Sequence, residues 1–130
     1  MARFLLIHGA CHGAWCWRDV LPHLAAAGHV AHAMDLPGAG LDGTPPETVT
    51  LAHYRDAVLA ETDGPTILVG HSLGGLSITA AAAAASDDIQ ALVYLCAWAP
   101  KNGESARDLR ARYGCENLMS AMRISEDRLT

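Results

Sequence analysis

The feature that constrains this chain most is a short apolar strand that breaks into glycine, serine and glycine, and then runs at once into a helix. Residues 66–69 (Thr-Ile-Leu-Val) are strand formers, and residues 73–85 are strong helix formers once the first-turn glycines are past. Gly70-His71-Ser72-Leu73-Gly74 lies between them, a G-x-S-x-G pattern in the strand–turn–helix setting that its chemistry requires. So sharp a turn holds its central residue in a strained conformation. Glycines two residues to either side keep side chains off the crowded backbone, and the serine oxygen projects clear of the sheet. The following helix directs its positive N-terminal end at that oxygen. Ser72 is therefore the candidate nucleophile, supported by Gly70, His71 and Gly74. A chance pentapeptide in a glycine-rich turn would lack the strand before it and the helix after it.

The rest of the chain repeats the alternation. Strand-like runs occupy residues 3–7, 30–34, 66–69 and 89–95. Trp17, Val20, Leu21 and Leu24 recur at helical spacing, and Gly28 is placed to end that helix. Leu51, Tyr54 and Val58 repeat the spacing behind Thr50, a good N-cap residue. Strand–helix alternation predicts a three-layer α/β/α fold with a mostly parallel sheet of four strands. Residues 1–100 read as the core. Residues 101–130 turn polar and read as surface helices or the start of a cap, with helical spacing at Leu109, Tyr113, Leu118 and Met122.

Composition narrows the function classes. The chain has 130 residues, 51% hydrophobic and 18% charged, which suits one folded domain and argues against disorder. A net charge of −5, with nine basic residues scattered along the chain, argues against a nucleic-acid partner. Apolar runs are too short for a signal peptide or a membrane span. Four cysteines without regular spacing read as free thiols in a reducing cytoplasm.

A serine nucleophile needs two backbone N–H groups to stabilise the oxyanion that forms on the substrate carbonyl. One comes from the residue after the serine, Leu73. The other comes from a loop after a neighbouring strand, and His8-Gly9-Ala10-Cys11-His12-Gly13 directly follows the first strand. Ala10 is the candidate donor, with Gly9 letting its peptide turn inward. The same segment offers His8, His12, Cys11 and Cys16 as metal ligands. On a loop, however, a four-residue spacing need not bring two imidazoles together, and no C-x-x-C pair supports zinc, so no metal is expected. A second glycine pattern, Gly38-Ala39-Gly40-Leu41-Asp42-Gly43, spells the dinucleotide fingerprint. Thr44-Pro45-Pro46 follows it where that fingerprint needs a helix to open, so it reads as a tight surface loop, and no cofactor is expected.

Four segments then occur in a telling order: HGACHGAWCW, Met34-Asp35-Leu36-Pro37-Gly38 with Gly40, GHSLGG and YLCAWAP. Together they resemble the α/β-hydrolase superfamily, and within it the small esterases that include plant methylesterases and hydroxynitrile lyases. The resemblance covers residues 3–105 and implies a spatial strand order of second, first, third, fourth. It also implies hydrolysis of a small carboxylic ester through an acyl-serine intermediate. The lyases carry threonine where this chain has Gly9, which favours the esterase.

In that superfamily the triad acid and histidine follow the nucleophile. Here all seven histidines precede Ser72, and residues 97–100 carry no carboxylate. The fourth strand is apolar on both faces, as an interior strand would be, so a second copy or further chain is expected to cover its edge. The chain thus reads as a truncated α/β-hydrolase fold. Three functions are carried forward: a serine esterase incomplete in this chain, a non-catalytic module that keeps the pocket, and a hydroxynitrile lyase.

Overall fold

Apolar runs of five to seven residues, each followed by a helical stretch, assemble into one parallel sheet. The computed structural model describes residues 1–85, 87–115 and 120–121. Strands β1 (Arg3–Ile7), β2 (Val30–Met34), β3 (Thr66–His71) and β4 (Ile89–Leu95) lie in the order β2-β1-β3-β4, every neighbouring pair parallel. The order predicted from the resemblance is the one observed. Helices α1 (Leu21–Ala26), α2 (Leu51–Ala60) and α3 (Gly74–Ala84) make the connections, and α4 (Ala106–Tyr113) follows β4.

Side-chain alternation along the strands builds the layers. Leu5 and Ile7 of β1 and Leu68 of β3 face one way, onto Val58 of α2 and Ile78 and Ala81 of α3. Leu6 and Val69, in register with each other, face the opposite way, onto Trp17, Leu21 and Leu24. Burying a leucine or isoleucine side chain contributes about 1.5–3 kcal/mol, so these two clusters fix which face each helix covers.

One local expectation needs adjustment. The helix read from Trp17 onward is split: a 3-10 turn spans Ala14–Trp17, and α1 begins only at Leu21. Its end is as predicted, with Gly28 at φ +80°. Trp17, 4% exposed, belongs to the core of the outer cluster. The capping at α2 is as read, and reciprocal: the Thr50 hydroxyl accepts from the His53 N–H, and His53 Nδ1 accepts from the Thr50 N–H. Of the spacing seen in the tail, Leu109 lies buried on α4. Leu118 and Met122 lie outside the described residues.

Among the described residues β4 has one strand neighbour, β3. Val93, Tyr94 and Leu95 remain 37–46% exposed there, so a strand with interior composition stands at the open side of the sheet.

Candidate active site

β3 runs straight into the turn, and Ser72 takes φ +53°, the left-handed region that costs a non-glycine residue about 1–3 kcal/mol. Three hydrogen bonds hold it there. The Ser72 carbonyl accepts from the N–H groups of Gly75 (3.2 Å) and Trp98 (3.0 Å), and its own N–H donates to the Leu95 carbonyl (3.4 Å). The turn is therefore tied to the end of β4 as well as to α3.

The glycines are explained by close approach of backbone. A Cβ on Gly70 would stand 2.8 Å from the Gly74 carbonyl, across the turn. One on Gly74 would stand 2.6 Å from the His8 carbonyl oxygen and 2.8 Å from that of Ile7, so it is Gly74 that lets α3 dock on the end of β1. Gly75 faces the loop after β4, where its Cβ would fall 2.1 Å from the Trp98 carbonyl oxygen. A Cβ on Gly9 would lie 2.8 Å from Ser72 Cβ, which brings the loop after β1 directly against the serine. Neither the Ala10 N–H nor the Leu73 N–H donates a hydrogen bond within the described residues.

His8 shapes that loop. It is 2% exposed, and both ring nitrogens are occupied: Nε2 accepts from the Leu36 N–H (3.0 Å), which leaves Nδ1–H to donate to the Gly9 carbonyl (2.8 Å). The bond to the Gly9 carbonyl fixes the peptide whose other end is the Ala10 N–H. Burial pushes the His8 imidazole below its usual pKa of 6.5 and keeps it neutral. The unfolded chain would bind a proton near pH 6.5 that the folded chain refuses. The stability from this histidine is therefore complete above that pH and falls as the medium is acidified. Urea titrations at pH 7.5 and 5.5 should show His8→Gln less stable than the parent at pH 7.5, with the gap narrower at pH 5.5. A gap independent of pH would contradict this assignment.

Asp35 was not singled out from the sequence as a site residue, yet it clamps both loops. Its Oδ1 accepts from the Ala14 N–H (2.6 Å) and its Oδ2 from the Leu41 N–H (2.9 Å). Gly13 and Gly40 make room for the carboxylate, since a Cβ on either would fall 2.7 Å or 2.0 Å from Oδ1. The signal available in the sequence was an acid ending an apolar strand between two glycine-bearing loops. The second loop also closes on itself, with the N–H groups of Gly38 and Thr44 both donating to Asp42 Oδ1. A 3-10 turn, Pro46–Thr48, follows it in place of a helix that could receive a phosphate.

No imidazole reaches Ser72 by a hydrogen bond among the described residues. His8 is occupied as above, and His12 Nδ1 bonds the Ala10 carbonyl while its ring stacks on Trp15. His71 stands edge-on to the rings of His12 and Trp17. His29 accepts from the Ala2 N–H, His32 lies beside Glu61, His53 caps α2, and His23 is exposed on α1. Nor do three or more His, Cys, Asp or Glu side chains among the described residues come together to hold an ion. The tryptophans divide: Trp17 is core, Trp15 is 58% exposed at the rim of a cavity, and Trp98 pairs with Tyr113.

That cavity, of about 620 Å3, opens beside the serine turn, between the loops after β1 and β2 and helices α2 and α3. Its wall includes Ala10 and Leu73. A strained serine on a strand–helix turn, with two open N–H groups and a cavity at the carboxyl ends of parallel strands, is a hydrolase arrangement. A profile of the alpha/beta hydrolase family matches residues 4–125. The chain belongs to the alpha/beta hydrolase family. It is 44% identical over 113 residues to a carbendazim hydrolyzing esterase of Nocardioides, covering 81% of this chain and 46% of that protein. It is 40% identical over 109 residues to methylesterase 2 of Arabidopsis thaliana, covering 78% and 41%. The crystal structure of a pyrethroid hydrolase superposes with a TM-score of 0.84 at 32% identity, over 98% of this chain and 54% of that one. The chain thus spans about half the length of these alpha/beta hydrolase relatives, or somewhat less.

Proposed function

We propose that this chain is the nucleophile-bearing part of a serine carboxylic ester hydrolase that works through an acyl-serine intermediate. The observation that carries the reading is Ser72 at φ +53°, with Gly9 packed against it and the Ala10 and Leu73 N–H groups open beside the cavity. In this reading the Ser72 oxygen attacks the ester carbonyl carbon and its proton passes to a base. The carbonyl oxygen gathers negative charge facing the two N–H groups. The carbon–oxygen bond to the alcohol then breaks, and the alcohol leaves with the proton. Water repeats the sequence on the acyl-serine and releases the acid.

The base is the part that the described residues do not supply. We propose that a histidine and an acid from outside these 130 residues complete the site, and that the strand pairing which covers the exposed edge of β4 brings them in. Names of esterases among the relatives support ester hydrolysis over the non-catalytic reading. Glycine at position 9, where the lyases carry threonine, speaks against the lyase. The test is to acetylate the chain with p-nitrophenyl acetate while imidazole in solution stands in for the base: Ser72 is expected to carry the acetyl group.

A further inference from the structure

Beyond the carbonyl chemistry, the cavity is lined by a hydroxyl that the hydrolysis itself does not use. Ser77 sits on α3 four residues after Leu73, on the same helix face as the proposed oxyanion donor, and lines the cavity. It is 1% exposed, yet its hydroxyl has no hydrogen bond among the described residues. A helix hydroxyl ordinarily returns to the carbonyl four residues back, as the neighbouring Thr79 does to Gly75 at 2.7 Å. Ser77 does not. Nor is its oxygen sealed in protein, since the sealed, unpartnered side-chain atom among the described residues is Trp17 Nε1. The surface that remains to the Ser77 oxygen is the cavity.

A second hydroxyl meets the same space. Tyr54 on α2, the helix packed beside α3, also lines the cavity, and its phenol oxygen likewise has no hydrogen bond among the described residues. Burial pushes the Tyr54 phenol up, so it stays protonated and remains a donor. Around these two groups the wall includes the apolar side chains of Leu36, Pro37, Val49 and Trp15. The alanine run that follows Ser77 in α3 underlines the point, because alanine at position 77 would suit both the helix and the core. A hydroxyl that no described residue partners, at the wall of a cavity, is open to a ligand oxygen.

We propose that Ser77 and Tyr54 determine specificity: the ester arm that enters this cavity carries an oxygen function, such as a hydroxyl, which these two side chains hold. The proposal rests on the esterase reading for the identity of the ligand. It is tested by binding alone, in the Ser72→Ala chain, so that failure of the chemistry and failure of the recognition are separable. The probes are methyl 3-hydroxyphenylacetate and methyl 3-methylphenylacetate, which differ by a hydroxyl in place of a methyl group. Trp15 at the cavity rim supplies the fluorescence readout.

The hydroxyl ester should bind about fivefold more tightly. Ser77→Ala should bring the two esters to within about twofold of each other, and Tyr54→Phe should reduce the preference. Ser77→Ala should also raise the melting temperature slightly, because alanine is the better helix former; a hydroxyl with a structural role would lower it. Equal affinities in the parent, a preference that survives both substitutions, or no saturable binding of either ester would overturn the proposal.

Discussion

Given p-nitrophenyl acetate, the 130-residue chain should hydrolyse it about a millionfold more slowly than a serine hydrolase with its base in place, a gap of about 8 kcal/mol in activation free energy. The reason lies in the histidines. Each of the seven is held by a partner or stands away from the serine, and none hydrogen-bonds the Ser72 oxygen among the described residues. An unassisted serine hydroxyl is a poor nucleophile at neutral pH. The proposed oxyanion donors and the cavity should retain about a thousand- to ten-thousandfold over water. Members of a triad act as a unit, so with the base missing the serine adds little. Ser72→Ala should therefore change the residual rate of nitrophenolate release by less than about tenfold. A drop of a hundredfold or more on that substitution would mean that one of the present side chains already activates Ser72.

The second large effect concerns the fold around the turn. Gly75→Ala would place a methyl group 2.1 Å from the Trp98 carbonyl oxygen and 3.1 Å from Ala97 Cβ, against backbone that cannot swing aside like a side chain. Overpacking of this kind costs about 3 kcal/mol, while alanine's better helix propensity returns about 1 kcal/mol. A net loss of about 2 kcal/mol should lower the melting temperature by about 8 °C for a chain of this size. The displacement would also loosen the serine turn, because the Trp98 N–H holds the Ser72 carbonyl. Gly43→Ala is the control: nothing lies within 4 Å of its Cβ, and the change should stay within about 0.5 kcal/mol. Equal melting temperatures for the two variants would refute the packing argument.

What the sequence made legible follows from what is local. Parallel strands covered on both faces appear as short apolar runs, so all four were found, and the strand order followed from the loop motifs by resemblance. The Gly70 to Gly74 turn and the Thr50 cap were readable because their partners lie within a few residues. His8 and Asp35 were not. His8 meets the Leu36 N–H 28 positions away, and Asp35 meets the Ala14 N–H 21 positions away; only the pairing of β1 with β2 brings them together. The same holds for Gly75, whose neighbour Trp98 arrives on the far side of β4. Trp17 misled the helix reading because its spacing was helical, whereas burial against Leu6 and Val69 and the Asp35 clamp on Ala14 favoured a tight turn. Ser77 is, with Thr79, a polar residue in an alanine-rich helix, and only the fold places it at the cavity.

In the reading proposed above, Ser72 is a built nucleophile whose histidine and acid lie outside the described residues. The most direct measurement is site-resolved mass spectrometry of the chain after p-nitrophenyl acetate, across a series of imidazole concentrations. An acetyl group is expected on Ser72, scarce without imidazole, rising with imidazole concentration, and absent from Ser72→Ala. Acetylation of Ser72 at full rate without imidazole, or acetyl groups on Cys11 and other exposed side chains while Ser72 stays unmodified at every concentration, would contradict it.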